Sequence, residues 1–251
     1  MKGHDLLADK IVVVTASAGT GIGSAAARRA LEEGARVVIS DRHERRLAET
    51  AEELGMLGPV HAIPCDVTDE DQVCALIDGT AERFGRLDVM INNAGLGGTR
   101  SVMEMTDEEW SRVLDVTLTG TFRCTRAALR RFAEQGGGGV IVNNASVVGW
   151  RAQSGQAHYA AAKAGVMALT RCSAMDAADL GVRINAVAPS LATHPFLAKV
   201  TSEELLRDLE KREAFGRSAT PEEVANVMVF LASDYASYLT GEVVSVSSQH
   251  P

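Results

Sequence analysis

Long apolar runs, paired cysteines and basic clusters are what this chain has least of. No apolar stretch approaches the roughly 20 residues that cross a bilayer, so no membrane partner is expected. Met1 to Lys10 is polar and carries no apolar secretory core, which makes a cytoplasmic location the expectation. Cys65, Cys74, Cys124 and Cys172 are far apart and form no CxxC pair. That spacing offers neither a zinc site nor a disulfide framework, and reduced, mostly buried thiols are expected instead. The formal net charge of −8 argues against a nucleic-acid partner, because phosphate binding needs clustered Lys and Arg. The one dense basic run, Arg42-His43-Glu44-Arg45-Arg46, is broken by an acid and opens a helical stretch. It reads as a solvated helix face or, alternatively, as a seat for a cofactor phosphate.

What is present is a regular alternation. The chain has 251 residues, 46% of them hydrophobic, enough to bury one large α/β core. Short β-branched runs at 11–15, 36–40, 60–64, 87–91, 139–143, 183–187 and 242–246 predict strands. Helical patterns fill the gaps at about 22–33, 43–55, 69–84, 106–134, 156–179 and 221–233. This is the pattern of βαβ units around a parallel sheet, and the nearly all-apolar strands predict helices on both faces. Gly136 to Gly139 reads as a flexible helix-to-strand turn, and residues 1–251 as a single domain. Residues 191–218 break the rhythm and are expected to form a lid over a substrate pocket.

The first half carries nucleotide-binding signals. Strand one runs into Ala16-Ser17-Ala18-Gly19-Thr20-Gly21-Ile22-Gly23 and then an Ala-rich helix. Small residues there let the backbone approach a pyrophosphate at a helix N-terminus. Asp41 ends strand two, eighteen residues after Gly23, near the spacing at which an acid meets the adenosine ribose. A carboxylate there repels a 2′-phosphate, so NAD is the expected cofactor. Arg42 beside it keeps NADP open. Asp66-Val67 is placed to hold the adenine edge, and Asn92-Asn93-Ala94-Gly95 to supply amides where a ligand crosses the strand ends.

The second half carries reaction chemistry. Tyr159 and Lys163 are four apart and share a helical face, so the ammonium is expected beneath the phenol, pulling its pKa down from about 10. Ser146, thirteen residues upstream, supplies a hydroxyl to hold a substrate oxygen near that phenol. Candidate substrate-pocket residues are Gly97, Val147, Trp150, Arg151, Gln153, His158, Leu191, His194 and Phe196. Trp150 and Phe196 suggest an apolar or ring-bearing small-molecule substrate.

These motifs in this order resemble the short-chain dehydrogenase/reductase family over nearly the whole chain. They are the Gly-rich turn, Asp66-Val67, Asn92-Asn93-Ala94-Gly95, Ser146, Tyr159-x-x-x-Lys163 and Asn185-Ala186-Val187-Ala188-Pro189. The resemblance implies a Rossmann fold with a doubly wound seven-stranded parallel sheet, a nicotinamide cofactor and a homotetramer or homodimer. It implies Tyr159 as general acid or base, Lys163 as the group that tunes it and holds the nicotinamide ribose, and Ser146 as the group that orients the substrate oxygen. Pro189 and Leu191 join the cofactor set. In flavour the chain resembles actinobacterial members that act on steroid-ring or acyl-CoA catabolites. Enoyl reductases of the family space their Tyr and Lys further apart. The chain also departs from the family pattern. Ala16 and Ser17 replace a Thr and a Gly, and Ser190 replaces a Gly after Pro189. His194 stands where a Thr often meets the carboxamide, with Thr193 one residue early, and Ser247-Ser248-Gln249 ends the last strand differently. Thr117 stands where an Asn usually distorts its helix so that a main-chain carbonyl holds a proton-relay water, so that relay is not implied.

Overall fold

Alternate residues of each strand point to opposite faces, and here both faces are apolar. Val12 and Val14, Val37 and Ile39, Val89 and Ile91 enter one core cluster, while Val13, Val38 and Met90 enter another. A strand with no polar face needs helices on both sides, and the computed structural model, which describes residues 3–192 and 203–248, supplies them. The strands are β1 (Ile11–Thr15), β2 (Arg36–Ser40), β3 (Val60–Ala62), β4 (Val89–Asn92), β5 (Gly139–Asn144), β6 (Val182–Pro189) and β7 (Val243–Val246). They form one sheet in the order β3-β2-β1-β4-β5-β6-β7, every neighbouring pair parallel.

The helices are α1 (Ile22–Glu32), α2 (Glu44–Gly55), α3 (Glu70–Phe84), α4 (Asp107–Leu114), α5 (Gly120–Gln135), α6 (Ala157–Asp176), α7 (Glu203–Glu210) and α8 (Pro221–Ala232). Helices α1, α2 and α8 cover the first cluster, and α3, α5 and the end of α6 the second. The order reverses between β1 and β4, which makes the crevice beyond their carboxyl ends the place for a ligand. Sequence reading placed every strand within a few residues.

Two expectations are corrected. The single helix expected over 106–134 is two helices joined by a π-helical turn, Asp115–Thr119. Gly136 to Gly139 is a required geometry rather than a flexible turn. Gly136, Gly137 and Gly138 have φ of 68°, 84° and 77°, and a Cβ on Gly138 would lie 2.5 Å from the Gly181 carbonyl oxygen.

Candidate active site

The nucleotide end begins where β1 stops. Ala16 carries the left-handed backbone, φ 49°, at the position that replaces the family's Thr. Ser17 is corrected: its side chain is not offered to a ligand. It is buried, donating to the Val14 carbonyl at 2.9 Å and accepting from the Ser40 amide at 3.0 Å, so it staples β1 to β2. Gly19 and Gly21 have nothing within 4 Å of where a Cβ would sit, whereas one on Gly23 would meet the Ala16 carbonyl at 2.4 Å. The first two glycines therefore leave the loop open, and the third lets α1 pack against the end of β1. Thr20 is exposed and Ile22, the first residue of α1, is half-buried. No acid occupies the first turn of α1 and no side chain caps it, so its amides suit a phosphate.

Next to this turn lies a cavity of about 800 Å³ lined by Ala16, Asp41, Arg42, Arg45, Arg46, Asp66, Val67, Ala94, Gly95, Leu96 and Val116. Its size and its acid at the β2 end fit the adenosine half of a dinucleotide. The Asp41 carboxylate is held at the mouth by the amides of His43 at 3.0 Å and Ala18 at 3.4 Å, whereas Arg42 is exposed. Asp66 accepts from the Thr68 amide and hydroxyl. The Asn93 side chain is committed to protein, donating to the Thr15 and Ala16 carbonyls and accepting from Asn144 at 2.9 Å. What Asn93 supplies is therefore loop position rather than a free amide.

At the β5 end, the buried Ser146 donates to the Pro189 carbonyl at 3.4 Å, and its hydroxyl is near enough to the Tyr159 phenol to favour the ionised form. Lys163 is 2% exposed, and its Nζ donates to the Asn144 carbonyl at 2.5 Å and lies 5.5 Å from the centroid of the Tyr159 ring. A Cβ on Gly95 would sit 3.4 Å from that Nζ, which places the ammonium directly behind the cavity wall. The three residues that the sequence singles out for the reaction, Ser146, Tyr159 and Lys163, are thus brought together beside this cavity.

One electrostatic expectation is overturned. Burial pushes the Tyr159 phenol up to about 12, with the Ser146 hydroxyl opposing, and pushes Lys163 down to about 7. The ammonium sits behind the ring, bonded to a carbonyl, so desolvation outweighs the attraction that the four-residue spacing suggested.

The family model described as enoyl-(acyl carrier protein) reductase matches residues 16–248. A Mycobacterium tuberculosis protein named (5R,7aS)-5-hydroxy-7a-methyl-1-oxo-2,3,5,6,7,7a-hexahydro-1H-indene-carboxyl-CoA reductase is 69% identical over 99% of this chain and 96% of its own length. The cis-4-hydroxycyclohexanecarboxylate dehydrogenase of Sinomonas cyclohexanicum is 40% identical over 96% of each chain. The crystal structure of a short-chain dehydrogenase from Mycobacterium smegmatis superposes with a TM-score of 0.90 at 62% identity, covering 100% of this chain and 97% of that one. The chain belongs to the short-chain dehydrogenase/reductase family. As a member it is an oxidoreductase of CH–OH groups that uses an NAD(P) nucleotide. Among the described residues no helix is long and apolar enough to cross a membrane, and no cluster of His, Cys, Asp and Glu suits a metal.

The remaining pocket residues of this dehydrogenase are scattered. Gly97 is exposed beside Tyr159, whose ring would lie 3.9 Å from a Cβ there. Val147 is buried and Trp150 exposed. Gln153 is half-buried, and Arg151 reaches Ser247 Oγ at 3.5 Å. His158 is buried beneath Gly98, and its Nδ1 has no hydrogen-bond partner. Leu191 is half-buried, its carbonyl accepting from Ala219 at 2.9 Å, which ties the start of the 191–218 excursion to its end. Thr193, His194 and Phe196 lie outside the described residues. Sequence reading missed Asn144, whose carbonyl holds Lys163 and whose amide holds Asn93. Its signal was its place at the end of β5, two residues before Ser146.

Proposed function

We propose that this protein interconverts a secondary alcohol and a ketone with NAD(H), on a hydrophobic ring- or acyl-CoA-derived substrate. The observation that carries this reading is the gathering of Ser146, Tyr159 and Lys163 beside a nucleotide-sized cavity: the Tyr159 ring lies against Gly97, and Lys163 is buried behind the Gly95 wall, 5.5 Å from that ring. Ser146 holds the substrate oxygen, Tyr159 donates its proton in reduction and takes it in oxidation, and Lys163 sets the charge behind the ring. A bound nicotinamide supplies or accepts the hydride. The substrate class draws on the name of the mycobacterial relative, a fused-ring carboxyl-CoA reductase. Trp150, 42% exposed next to the Ser146 turn, suits a ring-bearing ligand. The excursion over 191–218 is proposed as the lid of that pocket. The test is turnover of 3-hydroxyacyl-CoAs, hydroxysteroids and simple secondary alcohols with both nucleotides. Absence of turnover with every member of that set would overturn the reading.

NAD is proposed over NADP because Asp41 is fixed by two amides at the cavity mouth, where a 2′-phosphate would bring a second negative charge. The competing reading rests on Arg42, Arg45 and Arg46, which line the same cavity. NADH is expected to bind about tenfold tighter than NADPH, one charge clash being worth roughly 1.4 kcal/mol, and Asp41→Ala should erase the preference. Fluorescence enhancement of the two reduced nucleotides measures both. Tighter NADPH binding by the parent protein would reverse the assignment.

A homotetramer, or a homodimer, is also proposed. Phe122 on α5, Phe230 on α8, and Tyr235 and Tyr238 beyond it are 40%, 40%, 78% and 101% exposed. Apolar surface of that kind is what an interface covers. Sedimentation velocity at micromolar concentration is expected to give a species of two or four chains, and a monomer would refute it.

A further inference from the structure

Arg151 is a half-buried guanidinium with too few acceptors. It ends the turn that follows Ser146, its amide donating to the Val147 carbonyl at 3.0 Å. The side-chain Nε is shut away from water and has no hydrogen-bond partner. Among the described residues the guanidinium makes one hydrogen bond, from Nη2 to the Ser247 hydroxyl at a long 3.5 Å, and no ion pair. Glu213, a buried acid near the same strand end, accepts from Ser248 at 2.9 Å instead. The contrast is Arg183, also half-buried, which donates to the carbonyls of Leu231, Leu239 and Ser233.

The strand that Arg151 reaches carries a second orphan donor. Val244 and Val246 of β7 pack into the first core cluster, and Val243 packs on Ala145, Met167 and Ala188. Alternation along the strand therefore puts Ser245 and Ser247 on the face of Val243. The Ser245 hydroxyl is buried and has no partner. Ser146 stands at the same end of the sheet: its hydroxyl donates to the Pro189 carbonyl, and Pro189 pairs with Val246, the residue before Ser247. Strands β6 and β7 are one spacing, about 4.8 Å, apart, so one small ring-bearing molecule can reach from Ser146 to Arg151. A partly desolvated cation without a counter-charge is costly, and a guanidinium fork matches the paired oxygens of a carboxylate or phosphate.

We propose that Arg151 is a specificity residue whose guanidinium receives an anionic oxygen group of the substrate, either a ring carboxylate or a phosphate of its CoA thioester. The inference rests on the reading of Ser146 as the group that holds the reacting oxygen. It makes the site selective for ring alcohols that carry an anion over neutral ones of the same shape.

Calorimetric binding of 4-hydroxycyclohexanecarboxylate, its methyl ester and its CoA thioester to the NADH-loaded protein tests the assignment, because an alcohol cannot react with the reduced nucleotide. The parent is expected to bind at least one of the two anions about tenfold or more tighter than the ester, as charge-assisted hydrogen bonds allow. Arg151→Gln should reduce that ratio to within about twofold of unity. A preference confined to the thioester assigns the phosphate, and one shared by the free acid assigns the carboxylate. A parent that binds neither anion more tightly than the ester would overturn the proposal. So would an undiminished ratio in the folded variant, including the case in which all three ligands weaken alike, since packing would then be the whole role. A smaller species in sedimentation with the ratio intact would assign Arg151 to a contact between chains instead. Should Arg151→Gln not fold, Arg151→Met, which keeps the apolar stem, is read in the same way. If the parent turns over no alcohol yet keeps its anion preference, the proposed reaction fails and the anion seat stands.

Discussion

Tyr159→Phe is expected to lower turnover by about a thousandfold while nucleotide affinity stays within about twofold, the range expected when a single positioned acid or base is lost. The phenol is the proposed proton carrier, and Phe keeps the ring that packs over Gly97 and in front of Lys163. Only the proton donor is lost. Steady-state rates and nucleotide fluorescence on the same variant check the split, and unchanged turnover would sink the assignment. A pH dependence follows from the same geometry. With the phenol pushed up to about 12, it is protonated throughout the neutral range and suited to reduction. In the oxidation direction the phenolate is the active form, so the rate should climb with pH between about 7 and 10, approaching tenfold per unit where proton removal limits. An oxidation rate flat across that range would mean that the tyrosine does not carry the proton.

The second large effect is expected far from the site. Arg29→Met should cost about 3–5 kcal/mol of stability, the loss typical of breaking a buried ion pair. Arg29 binds Glu33, a fully buried carboxylate one helical turn away, and also Asn226 on α8 at 3.0 Å. Glu33 in turn accepts from the amides of His4 at 2.7 Å and Leu6 at 3.0 Å. One ion pair therefore joins the N-terminal segment, α1 and α8. Removing the arginine strands a charge that has no water. The double variant with Glu33→Gln should recover part of the loss, because Gln still accepts from those amides and carries no charge. Denaturant unfolding of the parent, the single and the double variants measures this, and a double variant no more stable than the single would contradict it. Burial pushes the Glu33 carboxyl up, but the Leu6 and His4 amides and the Arg29 charge prevail, and its pKa is lowered. A depressed carboxylate contributes above its unfolded pKa, so this stabilisation is full at neutral pH. It is lost as pH falls below about 4.5 through the folded value.

The fold was legible because both of its periodicities lie on the surface of the sequence. Alternate residues of Val12-Val13-Val14 and Val37-Val38-Ile39 enter opposite cores, and an all-apolar strand flanked by helices admits little but a parallel sheet. The placement of the proposed reaction residues was legible because chain order already fixes their neighbourhood: Ser146 follows β5, and Tyr159 and Lys163 occupy one face of the first turns of α6. Roles that depend on where a side chain points were not. Ser17 reads as a nucleotide contact and instead staples two strands, and His158 reads as pocket and is buried. Asn144 went unnoticed because its decisive group is a main-chain carbonyl.

By itself the sequence determined the doubly wound sheet and the family, and it nominated Ser146, Tyr159 and Lys163 for the reaction, since each follows from local periodicity, spacing and side-chain chemistry. Tertiary structure alone decided how those groups are tuned. Whether Lys163 lowers the phenol depends on the balance between burial and charge, and here burial prevails, leaving Tyr159 near 12 and Lys163 near 7. Whether the loop after β4 keeps its partners without the usual Asn depends on which side chain reaches it, and the Thr117 hydroxyl meets both the amide and the carbonyl of Leu96. Desolvation and hydrogen-bond pairing are sums over neighbours that lie far apart in the chain, and only the folded arrangement brings them within range.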